Sequence, residues 1–232
     1  MDALSEVLRV VQLTGAVFLD ARFTAPWSVL SEQSEALCAA YLPPSDRVVS
    51  FHLITAGELW AMLPDDPAGA LLVKAGDLLI VPRGESHILA SGRDLQPLPA
   101  ALLLADKVAP AAGGVMTLDH GGGGGQVQMV CGFLAAQEVL KNPLLSALPR
   151  MFTVNMRGSV AGWLESSMRF AAQEADGSKP GSTTVLAKLS ELMFVEAIRR
   201  HVDTIPEDQK GWLGGLRDRF VARALALMHA QP

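Results

Sequence analysis

At 232 residues the chain is long enough to bury a sizeable core as one large domain or two small ones, and with half its residues apolar and 19% charged it is globular rather than disordered. A net charge of −5 argues against a chain that grips nucleic acid unaided, which takes a surplus of Lys and Arg. With only Cys38 and Cys131, and no basic stretch leading into an apolar run at Met1-Asp2-Ala3-Leu4-Ser5-Glu6, the expected compartment is the cytoplasm, not a secreted disulfide scaffold.

Leu4 to Leu13 is expected to form a short helix. From Gly15 to about Leu134 short apolar runs follow one another, divided by Gly, Pro, Asp and Ser. They include Ala16-Val17-Phe18-Leu19, Val48-Val49-Ser50-Phe51-His52-Leu53-Ile54, Leu71-Leu72-Val73-Lys74, Leu78-Leu79-Ile80-Val81 and Val127-Gln128-Met129-Val130-Cys131. Each is too short for a helix, and many short strands at close spacing predict a closed sandwich or barrel. No run reaches the roughly 18 apolar residues of a membrane span. Leu98 to Ala105 is interrupted by Pro99 and stopped by Asp106-Lys107.

The five glycines Gly121 to Gly125 invite comparison with a phosphate loop, but no Lys-Ser or Lys-Thr follows and a strand comes next, so a hairpin connection is the better reading. After Phe133 the period changes. Val160, Trp163, Leu164 and Met168, then Leu186, Leu189, Met193 and Ala197, then Phe220, Ala224, Leu227 and Met228 recur at helical spacing. The expected organisation is mainly β: a barrel over residues 1–135, followed by a helical segment over 136–232.

One stretch carries specific chemistry, Gly76-Asp77-Leu78-Leu79-Ile80-Val81-Pro82-Arg83-Gly84-Glu85-Ser86-His87. Gly76-Asp77 is a turn and the next residues a short apolar strand. Pro82 ends that strand because it offers no ladder N–H, and Gly84 permits a tight turn. His87 then opens the return strand and delivers an imidazole to the barrel. His52, two residues beyond Ser50, shares a strand face with it. If that face is interior, His52 and His87 both point into the barrel.

This stretch resembles the second characteristic motif of the cupins, Gly-x5-Pro-x-Gly-x2-His, matched at Gly76, Pro82, Gly84 and His87, with Ser91 where the family has Asn. The resemblance implies a double-stranded, jelly-roll-like β-barrel. Gly57-Glu58 fits the end of the first cupin motif. The position of that motif's metal-binding Glu is Ser50 here, and its histidine region reads Pro43-Pro44-Ser45-Asp46. The usual ligand set is therefore missing. His52 and His87 could still hold a divalent metal, zinc or nickel, if Cys131 or His120 supplied a third donor, since such ions usually take three or four. With that deficit, His52 and His87, together with the nearby Trp60, are better read as lining a ligand pocket, and Cys131 as a buried small hydrophobe. No CxxC, HExxH or dinucleotide fingerprint is present, and no residues are assigned to catalysis.

A wider resemblance runs over nearly the whole chain. Phe51-His52-Leu53-Ile54-Thr55-Ala56-Gly57-Glu58-Leu59-Trp60, Val130-Cys131-Gly132-Phe133, Asn142-Pro143-Leu144-Leu145-Ser146-Ala147-Leu148-Pro149 and Leu192-Met193-Phe194-Val195-Glu196-Ala197-Ile198-Arg199 are similar to the cupin-like sensor half of AraC-type transcription regulators. Gly211-Trp212-Leu213 and Ala222-Arg223-Ala224-Leu225-Ala226-Leu227-Met228-His229 resemble the approach to that family's helix-turn-helix domain. The resemblance implies a sensor and dimerisation module: a small-molecule effector in the barrel, a homodimer through the helices, and DNA binding only in a form that carries the helix-turn-helix. Residues 207–232 contain four basic groups (Lys210, Arg217, Arg219, Arg223) against three acidic ones, so this chain alone is not expected to bind DNA specifically. The rival readings are a metal-dependent cupin enzyme, an isomerase or oxygenase working at His52 and His87, and a storage-type binding protein with no regulatory output.

Overall fold

The computed structural model describes residues 4–5, 13–32, 47–105, 115–136, 143–158, 162–163, 166–167, 182–206, 211–216 and 220–224. Its strands are β1 (Leu13–Thr24), β2 (Ser28–Ser31), β3 (Arg47–Ala56), β4 (Glu58–Leu63), β5 (Asp66–Lys74), β6 (Asp77–Val81), β7 (His87–Ala90), β8 (Leu98–Pro99), β9 (Met116–Gly121), β10 (Gln126–Ala136) and β11 (Phe152–Asn155). Its helices include α1 (Ala100–Leu104), α2 (Pro143–Ala147), α3 (Ser182–Thr204) and α4 (Trp212–Gly215). The strands form a six-stranded sheet in the order β11-β6-β3-β10-β1-β9 and a five-stranded sheet in the order β5-β4-β7-β2-β8.

Period-two alternation sorts the strand residues into two cores. On β3, Val49, Phe51 and Leu53 face one way and Ile54 the other; on β6, Leu78 and Ile80 oppose Leu79; on β10, Val130 and Leu134 oppose Val127, Met129 and Cys131. The inner set joins Ala21, Phe23, Trp27, Val29, Leu59, Ala61, Val73, Leu89 and Leu118 between the two sheets. The outer set is covered by Leu144, Leu145 and Leu148 at α2, by Met193, Phe194, Ala197, Ile198 and Val202 on α3, and by Leu213 on α4. The predicted stripe on α3 holds at Met193 and Ala197, which are buried, with Leu189 packed at its edge. Each fully buried side chain of this size contributes about 1.5–3 kcal/mol.

The glycine run is an exposed connection hydrogen-bonded to the end of β1. Gly122 N–H donates to Thr24 O and Gly124 N–H to Ala25 O, both at 2.8 Å, and Gly123 N–H donates to Thr24 Oγ1 at 2.9 Å. A Cβ at Gly124 would lie 2.7 Å from Ala25 O, and one at Gly122 would run into the Pro26 ring. These amides are committed to the end of β1, which a phosphate cradle does not allow. The expected hairpin is corrected as well, because β9 and β10 flank β1 on opposite sides and the glycines cross its end instead of joining paired neighbours.

Two further expectations are corrected. β11 lies beyond the expected boundary at residue 135 yet pairs with β6, Phe152 opposite Ile80 and Val154 opposite Leu78, so the sheet draws on the segment read as purely helical. Four residues are too few to announce a strand between helical patterns. Secondly, Trp163 is 57% exposed and Phe220 70% exposed, so neither lies on a buried stripe. Residues 4–5 are helical, whereas 6–12 of the expected N-terminal helix, and Val160, Leu164, Met168, Leu227 and Met228, fall outside the described residues.

Candidate functional site

His52 lies in the middle of β3, opposite Cys131 on β10 and opposite Leu79 on β6. Its even position, shared with Ser50 and Ile54, turns the ring between the sheets. His87 begins β7 in the other sheet, opposite Ser31. It is placed by the turn that Gly84 makes at φ 60°, a left-handed conformation that a side chain would strain. The two imidazoles meet across the barrel, each 4% exposed or less, with ring centroids 5.0 Å apart and planes at 63°.

The contacts form a line. Cys131 Sγ lies 2.9 Å from His52 Nδ1, His52 Nε2 lies 2.8 Å from His87 Nε2, and His87 Nδ1 lies 2.9 Å from Glu85 O. The last contact sets the others. A carbonyl oxygen only accepts, so His87 carries its proton on Nδ1 and, when neutral, presents a lone pair at Nε2. His52 must then donate from Nε2, which leaves its Nδ1 to accept from the Cys131 thiol. The result is one directional relay, S–H to Nδ1, Nε2–H to Nε2, Nδ1–H to O=C, in which every group is neutral and satisfied. These proton positions follow from the pattern of donors and acceptors.

Electrostatics keeps the relay neutral. Burial holds the His52 pKa well below the usual histidine value, and His87 beside it pushes in the same direction. Burial also lowers His87, opposed by its bond to the Glu85 carbonyl. The Cys131 thiol is pushed up by burial and by the charge of Asp20. A thiol so held is a hydrogen-bond donor rather than a nucleophile or a ready metal ligand.

The trio does not fit a metal. His52 addresses Cys131 and His87 with opposite nitrogens, so the three donors do not converge on a point, and a cation between the two Nε2 atoms would have two ligands where three or four are needed. His120 does not complete the set. It pairs with Phe23 on β1, whereas Cys131 pairs with Leu19, four residues or roughly 13 Å back along that strand. Its ring packs edge-on to Phe23 at 5.9 Å. Among the described residues no group of three or more His, Cys, Asp or Glu side chains is placed to hold a metal ion.

The structure brings His52, His87 and Cys131 together and leaves Trp60 out. Leu59 and Ala61 belong to the inner core, so alternation places Trp60 on the outer face of the five-stranded sheet, where the Arg93 guanidinium stands 5.3 Å over its ring. Closeness to His52 in sequence had suggested the pocket; the phase of β4 decides otherwise. Sequence reasoning also missed the charges around the His87 turn. Arg83 donates to Ser146 O at 3.0 Å and Leu148 O at 3.1 Å, and Arg150 reaches the Glu85 carboxylate at 2.5 Å and Asp65 at 3.0 Å. Partners more than sixty residues apart leave no local pattern to read.

Comparison with known proteins agrees with this architecture. A protein carrying the name AraC-like transcription regulator from Streptomyces antibioticus is 27% identical over 199 residues, covering 77% of this chain and 63% of its own length. A second of that name from Streptomyces lividans is 26% identical over 191 residues, covering 80% of this chain and 59% of its own length. The chain thus spans about three fifths of the length of these curated relatives. ToxT of Vibrio cholerae, solved with an unsaturated fatty acid bound, aligns with 87% of this chain and 61% of its own at 7% identity and a TM-score of 0.40. A family model described as Cupin matches residues 2–203. With that match spanning most of a chain whose barrel, motif turns and inward histidine are all in place, the protein belongs to the cupin family.

Proposed function

We propose that this chain is the effector-sensing and dimerisation part of an AraC-type transcription regulator that works in the cytoplasm as a homodimer and contacts DNA through a helix-turn-helix domain in a longer form. The observation that carries the reading is the neutral His52–His87 pair, a polar spot with buried Ser31 and Ser50 near it, enclosed by a largely apolar barrel. Such a spot suits a small, largely apolar molecule with one hydrogen-bonding head, which would take the place of one imidazole as the partner of the other. The names of the relatives support a regulator over an enzyme, and the divergent donor set weighs against the metal-dependent isomerase or oxygenase. No helix of the described residues is long and apolar enough to cross a membrane.

The packing suggests how occupancy is felt. β3, β6 and β10 each present inner-core residues on one face and the seat of α2 and α3 on the other, His52 flanked by Phe51 and Leu53, and Cys131 by Val130. An effector shifts this arrangement only through different affinities for two packings of the helices. A thermal-shift screen of small apolar molecules with one polar head tests the reading. A ligand at about a hundred times its dissociation constant adds roughly 2.7 kcal/mol of stability, and the shift should vanish in His87→Gln. Absence of any stabilising compound, or a shift that survives the substitution, counts against it.

A further inference from the structure

The turn between β6 and β7 touches both the imidazole pair and the helical layer. On its inner side the Glu85 carbonyl accepts from His87 Nδ1. On its outer side the Glu85 carboxylate is held by Arg150, which also grips Asp65 at the β4–β5 connection. Two residues earlier, one Arg83 nitrogen spans Ser146 O and Leu148 O at the end of α2. The last carbonyls of a helix have no partner within it, and a guanidinium there satisfies them and complements the helix dipole. Leu144, Leu145 and Leu148 of this same stretch are buried with Phe194 and Ile198 of α3.

From these contacts we infer that Arg83 and Arg150 form a clamp that couples the state of the His52–His87 hydrogen bond to the end of α2. The inference deepens the sensor reading and rests on it. The reasoning is mechanical. When His52 releases His87, the imidazole can turn only by moving the Glu85 peptide to which its Nδ1–H is tied. That peptide cannot rotate freely, because the Glu85 side chain is anchored to Arg150 and the neighbouring Arg83 to α2. Closure of the turn by the Gly84 N–H to Val81 O bond at 3.2 Å leaves little slack. The displacement is passed to the Ser146 and Leu148 carbonyls and so to the core beneath α3. A purely structural pair of ion contacts would stabilise the turn without making α2 responsive to His52.

The test reads the Leu148 amide, which donates to Leu144 O at 3.2 Å. Its hydrogen-exchange rate is taken relative to that of Ile198 in α3, which divides out global destabilisation. In the native background His52→Leu, which leaves no donor for His87 Nε2, should raise this ratio about 2- to 30-fold, the range over which residues on a coupling route act. In the Arg83→Gln/Arg150→Gln background the same substitution should leave it unchanged. An equal rise without the clamp, or no rise with it, overturns the proposal. Should the double variant fail to fold, Arg150→Gln alone serves, its side chain being 43% exposed; the rise must then be smaller than in the native background, and an equal rise is refutation. No ligand enters the experiment, so its failure leaves the effector screen untouched, and a failed screen leaves this result standing.

Discussion

Acidification should loosen this protein in a window set by its buried histidines. The forces acting on His52 and His87 are burial, their mutual repulsion and the Glu85 carbonyl, with no carboxylate to compensate an imidazolium, and both pKa values are lowered. With folded values below the unfolded value of about 6.5, the unfolded chain binds more protons as pH falls beneath that point. The stability these groups contribute is therefore complete above pH ~6.5 and is lost on going down toward the folded values. Each histidine that stays neutral in the native state contributes a slope of about 1.4 kcal/mol per pH unit, so the pair approaches about 2.7, flattening once the native pair takes its first proton. Urea denaturation followed through the fluorescence of the buried Trp27 at intervals from pH 8 to pH 5 measures it. His201, packed on Phe152 and also lowered by burial, acts with the same sign, so the series is run in a His201→Asn background. A stability that is flat between pH 6.5 and 5, or that rises as pH falls, would refute the neutral relay.

The proton positions can be seen directly: ¹⁵N spectra of the imidazoles should show His87 protonated at Nδ1 and His52 at Nε2, and the reverse tautomer at either ring breaks the assigned direction. Cys131→Ala removes the donor to His52 Nδ1 and should cost about 1–3 kcal/mol, while Cys131→Ser, which keeps a hydroxyl donor, should cost less; equal losses in thermal unfolding would mean that only volume matters. At Gly132 any Cβ would run into the Phe51 ring, so Gly132→Ala should shift the urea midpoint by the equivalent of about 1–3 kcal/mol through overpacking; an unchanged midpoint would show that the ring is free to move.

Much of the barrel was legible because the signals that build it are local. Gly76, Pro82, Gly84 and His87 are separated by short fixed steps, and a strand's period of two placed His52, Val127, Met129 and Cys131 on the inner face, where the structure has them. Trp60 was misplaced because closeness in sequence stood in for phase, which could not be carried across the Gly57-Glu58 turn from β3 to β4, and β11 was passed over because its four residues gain their strand character by docking on β6. The geometry of the site was out of reach for a different reason. That His52 spends one nitrogen on Cys131 and the other on His87 depends on how two sheets oppose each other, and composition alone made the same three residues look like donors that converge. Arg83 and Arg150 read as ordinary surface charge until the end of α2 is seen beside them.

The two-faced strands also constrain how such a chain can diverge. One residue inserted into or deleted from β3 or β10 would exchange their faces, turning His52 and Cys131 toward α3 and driving Phe51 or Val130 between the sheets. Length variation is therefore disfavoured in the two strands that carry His52 and Cys131, and relatives should differ there by replacement. New specificities would be written by exchanging side chains on the inner face while the helix seat keeps its spacing.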